Sequence, residues 1–186
     1  MVRLTGGLEF MRATIGAITM AHRPKGGFTR ATLIVSALLA TLGCSSTRTP
    51  MDLDQLKSFA TRYTAAWCSQ NPASVASFFS EGGSLTINTG APSVGRTSIT
   101  AAAQSFMSAF PDMIVAMDKV DLQGDQAVYR WTLTGTNTGP GGSGKAVRIH
   151  GYEEWRFGAD GLIAESKGHF DEVDYKRQLS AGTSEK

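Results

Sequence analysis

The chain is 186 residues long, 41% apolar, and carries 18 basic against 16 acidic residues for a formal net charge of +2. That length fits one packed domain with an extension, and the balanced charge, with no basic run inside the expected domain, argues against nucleic acid as a partner. Two cysteines (Cys44 and Cys68) and three scattered histidines (His22, His150 and His169) make neither a disulfide framework nor a zinc-ligand pattern, so no metal site is expected.

The N-terminal part has the layout of an address. Arg23, Lys25 and Arg30 precede an apolar run from Ala31 to Leu42, and Gly43-Cys44-Ser45-Ser46 follows. A basic segment, a short apolar stretch and small residues at a cut site predict a signal peptide over residues 1–43. The stretch falls short of the roughly 20 residues that a membrane-spanning helix needs. Met20 opens a compact signal by itself, which predicts that residues 1–19 are a start-site overextension. Leu42-Gly43-Cys44-Ser45-Ser46 resembles a bacterial lipobox. That resemblance implies an exported, membrane-anchored lipoprotein, periplasmic or at the cell surface, with lipidated Cys44 as its mature N-terminus. The alternatives are a secreted protein cut nearby and an uncut anchor. Residues 44–50 are polar and predict a linker, followed by a domain over 51–180 and a frayed tail over 181–186.

Within the domain, Leu53, Leu56, Phe59, Ala60, Tyr63 and Trp67 recur at three-and-four spacing and predict an amphipathic helix from Asp52 to about Gln70. Asn71-Pro72 is a helix start, with Asn as cap and Pro in the first turn. A short helix is expected from Pro72 toward Phe79, ended by Glu81-Gly82-Gly83. Ser84 to Asn88 predicts a strand, and Ser98 to Phe110 another helix, stopped by Pro111. Four strands are expected next, over Met113–Leu122, Gln126–Thr136, Ala146–Phe157 and Leu162–Phe170. Turns at Gln123-Gly124-Asp125 and Gly158-Ala159-Asp160-Gly161 and a Gly-rich loop over 137–145 join them. Val173 to Leu179 predicts a terminal helix. Segregated helices and hairpin-linked strands indicate an α+β fold. Such a sheet, curved and antiparallel with helices over its concave side, encloses a cone whose mouth suits a small molecule.

Three stretches resemble the SnoaL-like (polyketide-cyclase-like) family within the nuclear-transport-factor-2-like superfamily. The first is Tyr63 to Trp67 with Asn71-Pro72 and Phe78-Phe79. The second is Trp131 to Gly139 with Gly144-Lys145 and Gly151. The third is Asp160 to Ile163 with His169-Phe170-Asp171 and Gln178-Leu179. Together they span almost all of Met51 to Leu179. The resemblance implies a cone-shaped α+β barrel, often a homodimer formed by sheet packing. It also implies an intramolecular aldol cyclase that needs no cofactor or metal. An aspartate near the end of the last strand is the family's acid/base, which here is Asp171, with His169 two positions before it.

Residues two apart on a strand share a face, so His169 and Asp171 are expected to share one environment as the catalytic pair. The other reading makes Asp171 the N-cap of the terminal helix. Arg130 and His150 interrupt strands and are candidate substrate-binding residues, against a reading as solvated side chains. Tyr63, Trp67, Trp131, Trp155 and Phe106 are candidate pocket walls, against a reading as plain core. Glu153 and Glu154 are adjacent and face opposite ways, so one points inward or to a rim, but they make no acid/base pair. Cys68 is expected as a buried filler. The Gly139–Gly144 stretch lacks the strand-then-helix context of a phosphate loop.

Two functions fit these residues. One is a cofactor-independent cyclase, isomerase or lyase acting on a hydrophobic carbonyl compound. The other is a non-catalytic lipoprotein that binds an apolar ligand or docks a partner. Burial of Asp171 beside His169 separates them.

Overall fold

Asp52 starts the first helix through a reciprocal pair of hydrogen bonds. Its carboxylate accepts from the Gln55 amide at 2.8 Å, and the Gln55 side chain accepts from the Asp52 amide at 3.1 Å. This capping box satisfies two N–H groups that a helix start leaves open. Helix α1 then runs Leu53–Cys68 and buries Leu56, Phe59, Ala60, Tyr63 and Ala66 along one stripe. The computed structural model describes residues 51–123 and 126–183. The expected signal peptide, Cys44, the linker and the turn at Gly124-Asp125 lie outside the described residues.

Helix α2 spans only Pro72–Ala76, with Pro72 in its first turn and Asn71 at the cap position without a side-chain capping bond. The helix expected to reach Phe79 stops earlier because Phe79 already begins strand β1, Phe79–Ile87. Gly82 and Gly83, expected to end a helix, sit instead inside that strand at a register shift between Phe79 and Ser84. A Cβ on Gly83 would stand 2.7 Å from the Ile163 carbonyl oxygen, so the irregular strand needs glycine there.

Strand β2 is the short segment Ser93–Val94, and helix α3 covers Gly95–Ala109. Strands β3 (Ile114–Gln123), β4 (Gln126–Thr136), β5 (Ala146–Phe157) and β6 (Ile163–Phe170) follow, then helix α4, Glu172–Ala181. The Gly-rich loop between β4 and β5 serves the C-terminal end of α3. Both Asn137 Nδ2 and the Gly139 amide donate to the Ala109 carbonyl, at 3.1 and 3.2 Å.

The sheet is six-stranded and curved, in the order β2-β1-β6-β5-β4-β3. Strands β3 to β6 form an antiparallel meander, as the hairpin signals predict. The all-antiparallel expectation fails at one pair: β1 lies parallel to β6. The chain leaves β1, crosses through α3 to the far edge at β3, and zigzags back, which returns β6 beside β1 in the same direction. The sheet does not close, so β2 and β3 remain edges and the expected barrel is an open cone.

Helices α1 and α3 pack on one face of the sheet. Period-two alternation sends Tyr129, Leu133, Val147, Ile149, Trp155 and Ile163 into that face, where all are buried. Aromatic rings fill its centre. Tyr129 stacks on Trp155 at 4.8 Å, and Tyr63 meets the same indole edge-on at 5.1 Å.

Candidate functional site

The helix-covered face holds a cavity near the middle of the meander. Tyr129, Trp131 and Leu133 reach it from β4, Glu153 from β5, and Gly168 and Phe170 from β6. Leu85 and Ile87 come from β1 and Val115 from β3, while Trp67 of α1 and Phe106 of α3 close it. Its volume is ≈ 50 Å³. Gly151 is what lets Trp131 lie across β5. A Cβ there would come 2.4 Å from Trp131 Cζ2 and 2.6 Å from the His169 carbonyl oxygen. The Trp131 Nε1–H is buried and has no hydrogen-bond partner.

Glu153 is the one carboxyl group in this lining, and it is only 6% exposed. A buried carboxylate must be hydrogen-bonded to be tolerated, and three side chains do this. Ser166 Oγ donates to Oε2 at 2.6 Å, Trp155 Nε1 to Oε2 at 2.8 Å, and the Tyr63 hydroxyl to Oε2 at 3.1 Å with a longer contact to Oε1 at 3.4 Å. Desolvation raises the Glu153 carboxyl above its ordinary value, and the hydrogen bonds from Ser166, Trp155 and Tyr63 only partly offset this. The Tyr63 hydroxyl is pushed well up, first by burial and then by the charge of Glu153. Tyr129 is also raised, chiefly by burial, although its hydroxyl sits 2.7 Å from Thr64 Oγ1.

Of the residues singled out from the sequence, Trp67, Trp131 and Phe106 line the cavity. Tyr63 and Trp155 do not: both are fully buried beside it and hold Glu153. Cys68 is partly buried, with its Sγ 3.2 Å from the Val115 amide nitrogen and carbonyl oxygen.

The remaining candidates fall outside the cavity, for reasons of parity. Gly168 and Phe170 line it, so His169 between them turns to the opposite face. There it stacks on Tyr152 at 4.7 Å, with Nε2 3.5 Å from Glu154 Oε2. Asp171 lies beyond the end of β6, exposed, and accepts from the Asp174 amide at 2.9 Å as the N-cap of α4. The expected catalytic pair is therefore not brought together in a dry pocket. Arg130 and His150 occupy the same outer face. The Arg130 guanidinium lies 5.7 Å from the centre of the Tyr152 ring. His150 is exposed, with Nδ1 2.8 Å from Thr132 Oγ1, which itself donates to Asp118 at 2.8 Å. Neither lines the cavity.

The residue that sequence reasoning passed over is Glu153. Alternation along β5 puts one of Glu153 and Glu154 inward or at a rim, but does not say which of the two, nor that it has a role. The sheet settles it: Glu153 shares a face with Gly151 and Trp155, and stands opposite Tyr129 of β4. A carboxylate in that register is an inward carboxylate. Among the described residues, no group of three or more His, Cys, Asp or Glu side chains is placed to hold a metal ion.

The family model of the SnoaL-like polyketide cyclase matches residues 57–179. Among solved structures, TsrD from Streptomyces laurentii is 24% identical at a TM-score of 0.61, over 70% of this chain and 98% of that one. A putative SnoaL-like polyketide cyclase from Jannaschia sp. CCS1 is 20% identical at a TM-score of 0.58, over 73% of this chain and 98% of its own. A hypothetical protein with a ketosteroid isomerase-like fold from Catenulispora acidiphila, solved in complex with trimethylamine, is 19% identical at a TM-score of 0.53, over 60% and 83%. At these identities the structural likenesses speak for the fold. No curated protein matches the chain.

Proposed function

The chain belongs to the SnoaL-like polyketide cyclase family, and we propose that it holds a small, neutral, apolar molecule in the cavity and moves a proton on it with Glu153. The carrying observation is a single carboxyl-bearing residue among those that line an almost wholly apolar cavity, its carboxyl buried just behind the wall and raised by desolvation. No cationic side chain lines the cavity among the described residues, which disfavours an anionic ligand.

The family's cyclase chemistry needs a base and an acid at one place, and one carboxyl serves both in turn. Ionised Glu153 takes a proton from the carbon next to a carbonyl, leaving an enolate. The enolate carbon forms a bond to a second carbonyl carbon in the same molecule. The oxygen released as alkoxide takes the proton back from Glu153, so nothing is gained or lost. Where the substrate carries a second double bond next to that carbon, the enolate is a dienolate, and return of the proton to its far carbon gives an isomerisation by the same group.

A simple probe is hydrogen–deuterium exchange at the carbon next to the carbonyl of 1-indanone, followed by proton NMR. The protein is expected to accelerate it, and Glu153→Gln to lower that acceleration by about 10²–10⁴-fold, the usual worth of acid/base assistance. Absence of binding by both 1-indanone and indane would end this reading. Binding without any acceleration would favour a second one, non-catalytic ligand binding. That second reading draws on the three donors around Glu153, which also suffice simply to satisfy a buried carboxylate.

A further inference from the structure

The cavity is smaller than the molecules its apolar wall suits. Its ≈ 50 Å³ is well under the roughly 150 Å³ at which a dry apolar cavity takes up benzene. A ring compound therefore enters only if part of the lining moves. Burial divides that lining into a floor and a rim. Leu85, Val115, Tyr129, Leu133 and Glu153 are buried, whereas Trp67, Ile87, Phe106, Trp131 and Phe170 are partly exposed. Three of the five rim residues belong to strands, whose ladders hold their backbones. Of these, Trp131 lies across β5 at Gly151 and meets the Phe170 ring at 6.4 Å, and Phe170 meets Tyr175 of α4 at 5.5 Å. The other two, Trp67 and Phe106, belong to α1 and α3. Helix α1 packs on β3 and α3 on β1, at opposite sides of the sheet, and their backbones scarcely approach each other. The two rings bridge this cleft edge to face, with centroids 6.2 Å apart.

Resting on the reading of the cavity as a ligand site, we propose that the Trp67–Phe106 ring pair is its door: rotation of these two side chains admits an uncharged hydrocarbon ring between α1 and α3, while the strand-borne wall stays fixed. Opening gives up one edge-to-face ring contact, a small loss, and side chains at a partly exposed site change rotamer quickly. Moving a strand residue would instead disturb the ladder. The wall behind the door offers an occupant almost no polar surface. A charged group would be desolvated there without a partner, so it is turned away. The ring pair thus sets the size of what enters, and the wall sets its polarity.

The test is the rate at which the full chain takes up indane, a hydrocarbon ring without a carbonyl, whose binding is independent of any proton transfer. Stopped-flow tryptophan fluorescence follows it, because Trp67 and Trp131 line the cavity and Trp155 is buried beside it. Binding that waits on a conformational change is slowed by it, so Phe106→Ala is expected to raise the association and dissociation rates together, by about tenfold. A residue that only touched the occupant would change dissociation and leave association as it was. Trp67→Leu is expected to act like Phe106→Ala from the α1 side. Phe157→Leu, which alters the aromatic core away from the cavity, is expected to leave association unchanged. Wild-type association rates in both Phe106→Ala and Trp67→Leu, with the wild-type amide spectrum kept, would overturn the door and leave the proposed function standing. Faster association without deuterium exchange into 1-indanone would keep the door and remove the proton transfer. Indane bound by neither wild type nor variants would overturn both.

Discussion

The Ser166 hydroxyl and the Glu153 carboxylate meet across strands β6 and β5 at 2.6 Å, with both side chains buried. This contact fixes a buried titratable group behind the wall of an apolar cavity, and the group's ionisation is tied to the stability of the fold.

The first consequence is a pH dependence with a definite sign. The Glu153 carboxyl is raised in the folded state by desolvation. Its contribution is therefore fully present below the ordinary glutamate value and is lost as pH rises through the elevated folded value. Asp112 and Asp174 are held low by the Thr136 amide and by Arg177 respectively, and they act in the opposite sense, losing stability as pH falls. Urea midpoints of wild type and Glu153→Gln, taken from pH 4 to 8, isolate the Glu153 part. The wild type is expected to lose stability relative to the variant as pH rises. Parallel curves would mean that the carboxyl is not raised.

A second expectation concerns Gly151. Its missing side chain makes room for the Trp131 indole and for the His169 carbonyl. Gly151→Ala is expected to destabilise the protein by about 1–3 kcal/mol, the usual cost of overpacking, and to weaken 1-indanone binding by displacing the Trp131 ring. Chemical denaturation checks the first part and calorimetry the second. An Ala variant as stable as wild type would contradict the packing described.

Asp171 is expected to act through helix α4 alone. Asp171→Asn keeps a capping oxygen for the Asp174 amide and should leave stability nearly unchanged, whereas Asp171→Ala should cost about 1 kcal/mol. Neither should alter deuterium exchange into 1-indanone. Loss of exchange in Asp171→Asn, with the fold intact, would return this residue to the chemistry.

Cys44 is expected to be the lipidated mature N-terminus, on the strength of the basic segment, the apolar run and Gly43-Cys44. Mass spectrometry of the membrane fraction gives a direct answer. A mature form that begins elsewhere with Cys44 unmodified would rule this out.

We also expect a homodimer through the outer face of β3 to β6, where Arg130, Tyr152 and His169 form a cross-strand row. Sedimentation of the full chain at micromolar concentration should report twice the monomer mass, and Arg130→Glu should weaken the association. A monomer at that concentration would remove the expectation.

The amino-acid sequence by itself determined the elements whose signals are local. Helix α1 was legible from its apolar spacing, β4 from its alternation, and the last hairpin from Asp160-Gly161, where Gly161 takes φ +76. Trp67, Phe106 and Trp131, which line the cavity, and Tyr63 and Trp155, which are buried beside it, read alike in the sequence, because a large aromatic side chain on a buried face suits a wall and a core equally. Alternation states that neighbours face opposite ways, but not which face the helices cover. That sign came only from packing, and it carried His169, Arg130 and His150 to the outside and Glu153 to the inside. The parallel pairing of β1 with β6 and the glycine irregularity in β1 depend on where a distant strand returns. The donors to Glu153 show the same limit: the Tyr63 hydroxyl comes from 90 positions away and Ser166 from 13. A buried carboxylate is tolerated only where such partners converge, and their convergence is a property of the packed sheet and helix, not of any one segment.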